Sequence, residues 1–298
     1  MADVDLAALL PSWELSLRAE RKAPGTLAAY AGGVRQFIAW CEAEGRDPRL
    51  DRRTVSAFVT ALLTEGKEAA TAIARQLALR RFSAWLADEG EIERDELIGI
   101  KAPKLDSKIV EPLSDEQLRA LLAACSGLDQ FRDRRDEALL RLMMECGLRA
   151  GETVGIQVDD LDLVNGRVIV RRGKGGKGRT VPIAPKTARA LDRYLRVRRT
   201  HRLASTPALW LGAGGKTLGY EGLHKTLARR ARIAGIVGFH PHRLRHTAAH
   251  RWLAAGGSEG GLMAVAGWTR PDMLLRYTKA QAERRAADEA RRLGLGEL

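Results

Sequence analysis

Apolar residues recur at helical spacing through almost all of the first hundred positions. Leu6, Leu9, Leu10, Trp13 and Leu17 mark one face of a first helix, the recurrence expected of an amphipathic segment. Pro11 argues that the regular helix begins only there, because proline lacks an N–H and suits a first turn. Pro24-Gly25 reads as the next break. Thr26 is then the expected cap of a second helix carrying Leu27, Tyr30, Val34, Phe37, Ile38 and Trp40. A third helix is predicted after Asp51, with Val55, Phe58, Val59, Leu62 and Leu63 inward. A fourth is predicted over about 69–87, with Ile73, Leu77, Phe82, Trp85 and Leu86. These aromatic stripes read as core packing. Arg75, Arg80 and Arg81 on the fourth helix fit either phosphate contacts or a solvated face.

The pattern lapses at Lys101–Lys108, which holds a proline and several lysines, Lys104 among them, and no apolar period. Residues 101–112 read as a linker between a helical domain, 1–100, and a second domain, 113–279. Ser114 and Gln117 form a capping-box signature for a helix start. Helices are predicted through Cys125 and again from about Asp133 to Cys146. Next comes the one clear β signal. Gly166–Arg171 and Arg179–Ile183 read as paired strands around the glycine-rich turn Gly173–Gly178, and Pro182 suggests a sheet edge. Helices dominate from about Pro185. The tail, 280–298, rich in Ala, Arg and Glu up to Leu293, fits a further helix. The fold class is therefore mainly α: an all-helical N-terminal domain, then a mixed, mostly α domain with a small antiparallel sheet.

Composition narrows the partners. The 298 residues are 45% hydrophobic, enough for two domains with real cores. A formal charge of +13 favours a polyanion, nucleic acid before an anionic membrane. Cys41, Cys125 and Cys146 are far apart and show no metal or disulfide spacing, so they read as reduced, mostly buried thiols. No basic, apolar leader and no membrane-length apolar run is visible. A cytoplasmic protein associated with DNA is the expectation.

The candidate chemistry lies in the second domain. His242-Arg243-Leu244-Arg245-His246 is followed by Gly267-Trp268 and Tyr277, and preceded by Arg149 in Gly147-Leu148-Arg149-Ala150-Gly151-Glu152. Breaking a DNA strand with neither water nor metal needs three things. A nucleophile must attack phosphorus, the non-bridging oxygens must be neutralised, and the leaving oxygen needs a proton. Arginine's planar fork suits the second task. Lysine or histidine suits proton transfer, and tyrosine can form the covalent intermediate. His242 and Arg245 share a helix face at i and i+3, behind Pro241 in a first turn, where anions bind well. His246 fits a supporting role.

Each residue has a plainer alternative. Arg149 can complement a helix C-terminal dipole, and Glu152 can be an ordinary first-turn carboxylate or can hold Arg149 in place. Lys174 and Lys177 can be solvated hairpin lysines. Trp268 and Tyr277 can be buried anchors. The pair His240 and His242 lacks a compatible Cys or carboxylate cluster, so metal binding ranks below phosphate binding.

In order and spacing these boxes resemble the tyrosine recombinase (phage integrase) family, in its Xer-like two-domain form. The first box is matched by Gly147–Glu152. The β-hairpin lysine is matched by Lys174, with Arg179-Thr180-Val181-Pro182-Ile183 following. The His-x-x-Arg-His box is matched by His242, Arg245 and His246. Trp268 stands where the family more often has histidine, and Tyr277 follows nine residues later. Thr26–Tyr30 and Phe82–Leu86 look like the family's helical core-binding domain. Any one box is weak; all of them in order are strong.

The resemblance implies a site-specific recombinase clamped on double-stranded DNA. Arg149, Lys174, His242, Arg245, Trp268 and Tyr277 would be catalytic, and Glu152 and His246 supporting. Lys177, Arg179, Arg75, Arg80, Arg81 and Lys104 would bind DNA. Cleavage would run through a 3′-phosphotyrosyl link, with no cofactor, in a tetramer on two sites, and the 280–298 tail would be free to dock on a neighbouring subunit. Because tryptophan cannot shuttle a proton, proton donation would fall mainly on Lys174. The few residues ahead of Leu6 argue against an arm-site-binding domain. The glycine-rich Ala255–Gly261 stretch is expected to be flexible. Type IB topoisomerase-like relaxation and an inactive DNA-binding regulator are the alternatives.

Overall fold

The computed structural model describes residues 4–105, 111–127, 129–171, 178–212, 214–268, 270, 274 and 291–293. The chain divides into two compact units, Met1–Lys108 and Ile109–Leu298.

The first unit is built from α1 (Leu6–Ala19), α2 (Pro24–Ala43), α3 (Arg52–Thr64) and α4 (Ala69–Asp88). Pro11 lies inside α1 rather than at its start. The Asp5 carboxylate accepts from the backbone of Ala7 and Ala8 at 3.0 Å and caps the helix a full turn earlier. Buried Leu6 and Leu10 then offset the one backbone bond that the proline forgoes. Thr26 is not the cap of α2. Pro24 is its first residue and Ala23 its cap, since proline's fixed φ is already helical. Helix α3 follows Asp51 as expected, and the Asp51 carboxylate caps it by accepting from the Thr54 N–H at 2.8 Å.

The core of this unit is aromatic. Trp13 stacks on Tyr30 with ring centroids 5.9 Å apart and lies 4.9 Å from Phe82, while Phe37 meets Phe58 edge-on at 5.4 Å. The inward face of α4 runs through Ala72, Gln76, Leu79, Phe82 and Leu86. Ile73 is only half-buried and Leu77 is exposed, so the apolar stripe sits one residue off the expected line. Arg52 donates to the carbonyls of Glu96 and Ile98, tying the segment after α4 back to α3.

The second unit opens with α5 (Asp115–Ala123), whose Ser114/Gln117 capping box is complete. Helix α6 (Gln130–Cys146) starts a few residues earlier than expected, because Asp129 caps it. Cys125 lies just past the end of α5 rather than within it. The sheet has three strands: β1 (Leu161–Asp162), β2 (Arg167–Val170) and β3 (Arg179–Pro182), antiparallel in that order. Strand β1 is a two-residue element with no periodic signature. In β2, Val168 and Val170 are buried and Ile169 is exposed, the alternation of a half-covered strand. Pro182 lies on β3, an edge of this sheet among the described residues. The hairpin turn at 172–177, with Lys174 and Lys177, lies outside the described residues.

Four more helices follow: α8 (Pro185–Arg198), α9 (Tyr220–Ile233), α10 (Pro241–Ala254) and α11 (Glu259–Ala266), with the short α7 (Ala150–Val154) between α6 and the sheet. The glycine-rich exit from α10 is a packed turn. The Trp252 indole donates to Ser258 O at 2.9 Å and covers Gly257, where a Cβ would fall 2.3 Å from its Nε1. Ser258 then caps α11. No described helix is long and apolar enough to cross a membrane.

Candidate active site

The turn between α6 and α7 sets the first part of the site. Helix α6 stops at Gly147, whose φ of 59° is left-handed, and the chain re-enters helix with Arg149 as the N-cap of α7. Arg149 therefore opens a helix and does not serve the C-terminal dipole of the one before. Glu152, three residues on, turns back. Its carboxylate accepts from the Arg149 backbone N–H at 2.9 Å and from Arg149 Nη1 at 2.8 Å. The Arg149 side chain is 27% exposed and Glu152's is 4% exposed, so the cation reaches the surface while its anchor stays inside.

Arg179 approaches the same carboxylate from β3. Nη1 and Nη2 donate to the two oxygens of Glu152 at 3.1 and 2.9 Å, and Nε donates to Val265 O at 2.8 Å. The guanidinium thus points inward, where the sequence led to an expectation of a DNA-facing cation. A buried carboxylate demands paired, hydrogen-bonded charge, and a cation in the adjoining strand meets that demand. Burial alone would raise the Glu152 pKa. Hydrogen bonds from Arg179 and from the Arg149 backbone, with the Arg179 charge, outweigh it and hold the carboxyl below its ordinary value.

Helix α10 supplies the second box. His240 is its N-cap, Pro241 its first residue and His242 its exposed second residue. Arg245, one turn on, is 2% exposed. It donates to Gly147 O at 2.7 Å and to Ala266 O at 2.8 Å, and its guanidinium lies 5.2 Å from the centre of the Trp268 ring. The His242 and His246 rings meet edge to face at 4.7 Å. Burial, then the neighbouring His242, His250, His240 and Arg245, push the His246 pKa down to about 4, so its ring is neutral near pH 7. Burial and then Arg243 also lower His240.

The end of α11 joins these parts. A helix leaves its last carbonyls without intrahelical partners and carries partial negative charge there. Val265 O and Ala266 O use that property to take Arg179 and Arg245. Gly267 then turns left-handed, φ 64°, and a Cβ there would sit 2.8 Å from Arg179 Nη1. Trp268 is 5% exposed and packs with Ala249, Leu253, Leu262, Ala266 and Leu274. The core reading of Trp268 thus holds alongside its contact with Arg245.

The structure therefore brings Arg149, Glu152, Arg245 and Trp268 into one bonded framework, with His242 and His246 at its α10 edge. Lys174, Lys177 and Tyr277 lie outside the described residues. Arg75, Arg80, Arg81 and Lys104 belong to the first unit. There Arg75 Nε donates to Gln36 at 2.6 Å, Arg80 is half-buried, and Arg81 and Lys104 are exposed. The three thiols are free. Burial pushes Cys41 up to about 11 and Cys125 up to about 12, and raises Cys146 as well, so none is an activated nucleophile. Missing from the sequence reading is the inward role of Arg179.

Comparison with known proteins gives this framework a family. Residues 111–284 match the model of the phage integrase family, and residues 10–90 match that of the phage integrase N-terminal SAM-like domain. Tyrosine recombinase XerC of Pseudomonas aeruginosa is 36% identical over 258 residues, 84% of this chain and 81% of that protein. XerC of Azotobacter vinelandii is 36% identical over 245 residues, 80% and 79% of the two chains. Among solved structures, the XerH site-specific recombinase bound to palindromic difH substrate superposes with a TM-score of 0.72 at 19% identity, covering 89% of this chain and 79% of that one. A lambda integrase (75–356) dimer bound to a COC′ core site gives 0.68 at 16% identity, covering 90% and 96%. The chain belongs to the phage integrase family, the tyrosine recombinases.

Proposed function

We propose that this chain is a site-specific recombinase that cleaves and rejoins double-stranded DNA through a 3′-phosphotyrosyl intermediate on Tyr277. The observation that carries the reading is the tie between Arg149 and Arg245. Arg245 Nη1 is bonded to Gly147 O, two residues before Arg149, so two guanidinium groups are fixed to one turn. Two such forks can neutralise the non-bridging oxygens as charge builds on the phosphate, each worth on the order of 3 kcal/mol in the transition state. Tyr277 Oη attacks phosphorus as the phenol gives its proton to solvent water. The bond from phosphorus to the 5′ oxygen breaks, and that oxygen takes a proton from Lys174. The 5′ hydroxyl of a partner duplex then attacks the phosphotyrosine and gives its proton back to Lys174, while Tyr277 leaves and regains its proton from water. One ester replaces another at each step, so the chemistry has no need of a nucleotide or other cofactor. His242, at the N-terminus of α10, adds a phosphate contact, and Glu152 and His246 support it.

XerC relatives favour recombination over topoisomerase-like relaxation or an inactive DNA-binding role. Solved neighbours include recombinases bound to DNA and a lambda integrase tetramer bound to a Holliday junction. By that likeness the chain assembles as a tetramer on two DNA sites. Lys177, Arg75, Arg80, Arg81 and Lys104 add affinity, Lys101–112 links the domains, and the 280–298 tail docks between subunits. A cytoplasmic location goes with the DNA it acts on.

The test is a nicked suicide duplex carrying the recognition site, recovered by selection from a random pool. Wild type should form a covalent adduct that resists denaturation. Tyr277→Phe should bind equally and form none; an adduct in that variant would remove Tyr277 from the mechanism.

A further inference from the structure

Arg179 makes three kinds of contact at once. It forks over the Glu152 carboxylate, donates to Val265 O, and fills the space left by the missing side chain of Gly267. Its side chain is 12% exposed. Every guanidinium nitrogen is engaged inside the protein, through three of the five N–H groups that the side chain carries. Glu152 in turn holds both the backbone and the side chain of Arg149. The carbonyl next to Arg179's acceptor, Ala266 O, holds Arg245. A single side chain thus stands between the anchors of both arginines proposed to grip the scissile phosphate.

We propose that Arg179 is a positioning residue for strand cleavage. By bridging Glu152 to the C-terminal turn of α11, it sets Arg149 and Arg245 at a fixed mutual geometry without itself touching DNA. The inference rests on the reading that these two arginines bind the scissile phosphate. Its geometry has a physical rationale. A planar fork can satisfy both carboxylate oxygens while its Nε serves a third acceptor, and a lysine ammonium cannot hold all three in place. A misplacement of about 1 Å in a site of this kind can cost on the order of 100-fold in rate. Gly267 belongs to the same device, since an added Cβ at its left-handed position would displace the guanidinium it faces.

The experiment measures two quantities on the same nicked duplex: the single-turnover rate of adduct formation at saturating protein, and duplex affinity as a function of salt. Arg179→Lys should lower the rate about 100-fold. Affinity should stay within about twofold, with an unchanged salt slope, because no phosphate contact is lost. Glu152→Gln, which keeps the shape and weakens the fork, should give a similar loss. Arg149→Lys should cost markedly less in the Arg179→Lys background than in wild type, because Arg149 is already out of register there.

The proposal is overturned if the salt slope falls by about 0.9 with the rate at saturation unchanged, since Arg179 would then be an ordinary phosphate contact. Strict additivity with Arg149→Lys also overturns it, as does unfolding of both variants at the assay temperature, which would make Arg179 a residue of the fold alone. Arg149→Ala keeps the two claims apart. If that variant forms the adduct at the wild-type rate, the reading of Arg149 as a phosphate-binding group fails; if it loses cleavage while still binding DNA, the Arg179 result stands on its own.

Discussion

Around Phe37 and Phe58 the interior of the first unit consists of rings and aliphatic chains, and its buried polar side chains among the described residues are Gln76 and Ser83. The second unit is built differently. It buries Arg135, Arg198, Arg230 and Arg245, with Asp136, Glu152 and Asp160. Arg230, fully buried, donates to Asp133, Asp136 and Ala124 O. Among the described residues Arg198 meets no carboxylate and instead holds the carbonyls of Ala204, Thr206, Ala208 and Leu209. Apolar burial is tolerant of exchange, whereas a buried charge fixes direction as well as position, at a desolvation cost of several kcal/mol per ion unless it is fully partnered. The unit that buries charge is the one that carries the proposed chemistry. There, precision in where a guanidinium points counts for more than stability gained per side chain.

That contrast can be broken by experiment. The largest effect is expected from Arg245→Met. It leaves Gly147 O and Ala266 O without their donor and removes a phosphate-binding fork, so adduct formation should fall about 1,000-fold or more. Unfolding free energy should also fall by about 2–4 kcal/mol for the two stranded carbonyls, measured by urea titration of the second unit. Phe58→Ala should do the opposite. It should destabilise the first unit by about 3–5 kcal/mol through the cavity it leaves. The second unit's own denaturation midpoint should be little changed, and a large shift there would show that the two interiors do not behave as separate cores. Trp268→Phe keeps a ring beside Arg245 and should cost less than about 1.5 kcal/mol in stability. If adduct formation nevertheless drops more than about tenfold, the indole N–H acts in cleavage and the core reading of Trp268 is incomplete.

The smallest effect concerns pH, and its sign follows from His246. The folded pKa, about 4, lies below the unfolded value. The contribution of the neutral ring is therefore fully present above about pH 6.5 and is lost as pH falls towards 4. His246→Gln should flatten the stability profile over that window. Glu152 has the same sign in a lower window, since its carboxyl is held below the ordinary value and its stabilisation fades as pH drops through it. The first unit, without such groups inside, should show a flatter acid limb when each unit is followed by its own probe.

The same contrast explains what could be read from the sequence. Elements whose signals are local were legible: the helix after Asp51, the Ser114/Gln117 box, and the paired strands on either side of the glycine-rich turn. Pro11 and Thr26 misled because both are helix-start signals that a stronger start upstream overrode. Asp5 was the stronger cap, and Pro24 was better used as a first residue. Strand β1 is too short to leave a period. In the site, the box residues were legible as types at fixed spacing. The direction of Arg179 was not, because a charge in a basic hairpin reads as solvent-facing until its carboxylate partner, 27 positions earlier, is brought beside it. The order of the boxes identified the chemistry, and the buried carboxylate between them became visible only in three dimensions.

The most direct test of the account is to trap the covalent complex on a nicked duplex, digest it, and sequence the DNA-linked peptide by mass spectrometry. The account predicts a single modified residue, Tyr277, joined to a DNA 3′ phosphate, with a free 5′ hydroxyl on the released strand. A link to any other residue, or to a 5′ phosphate, would contradict it.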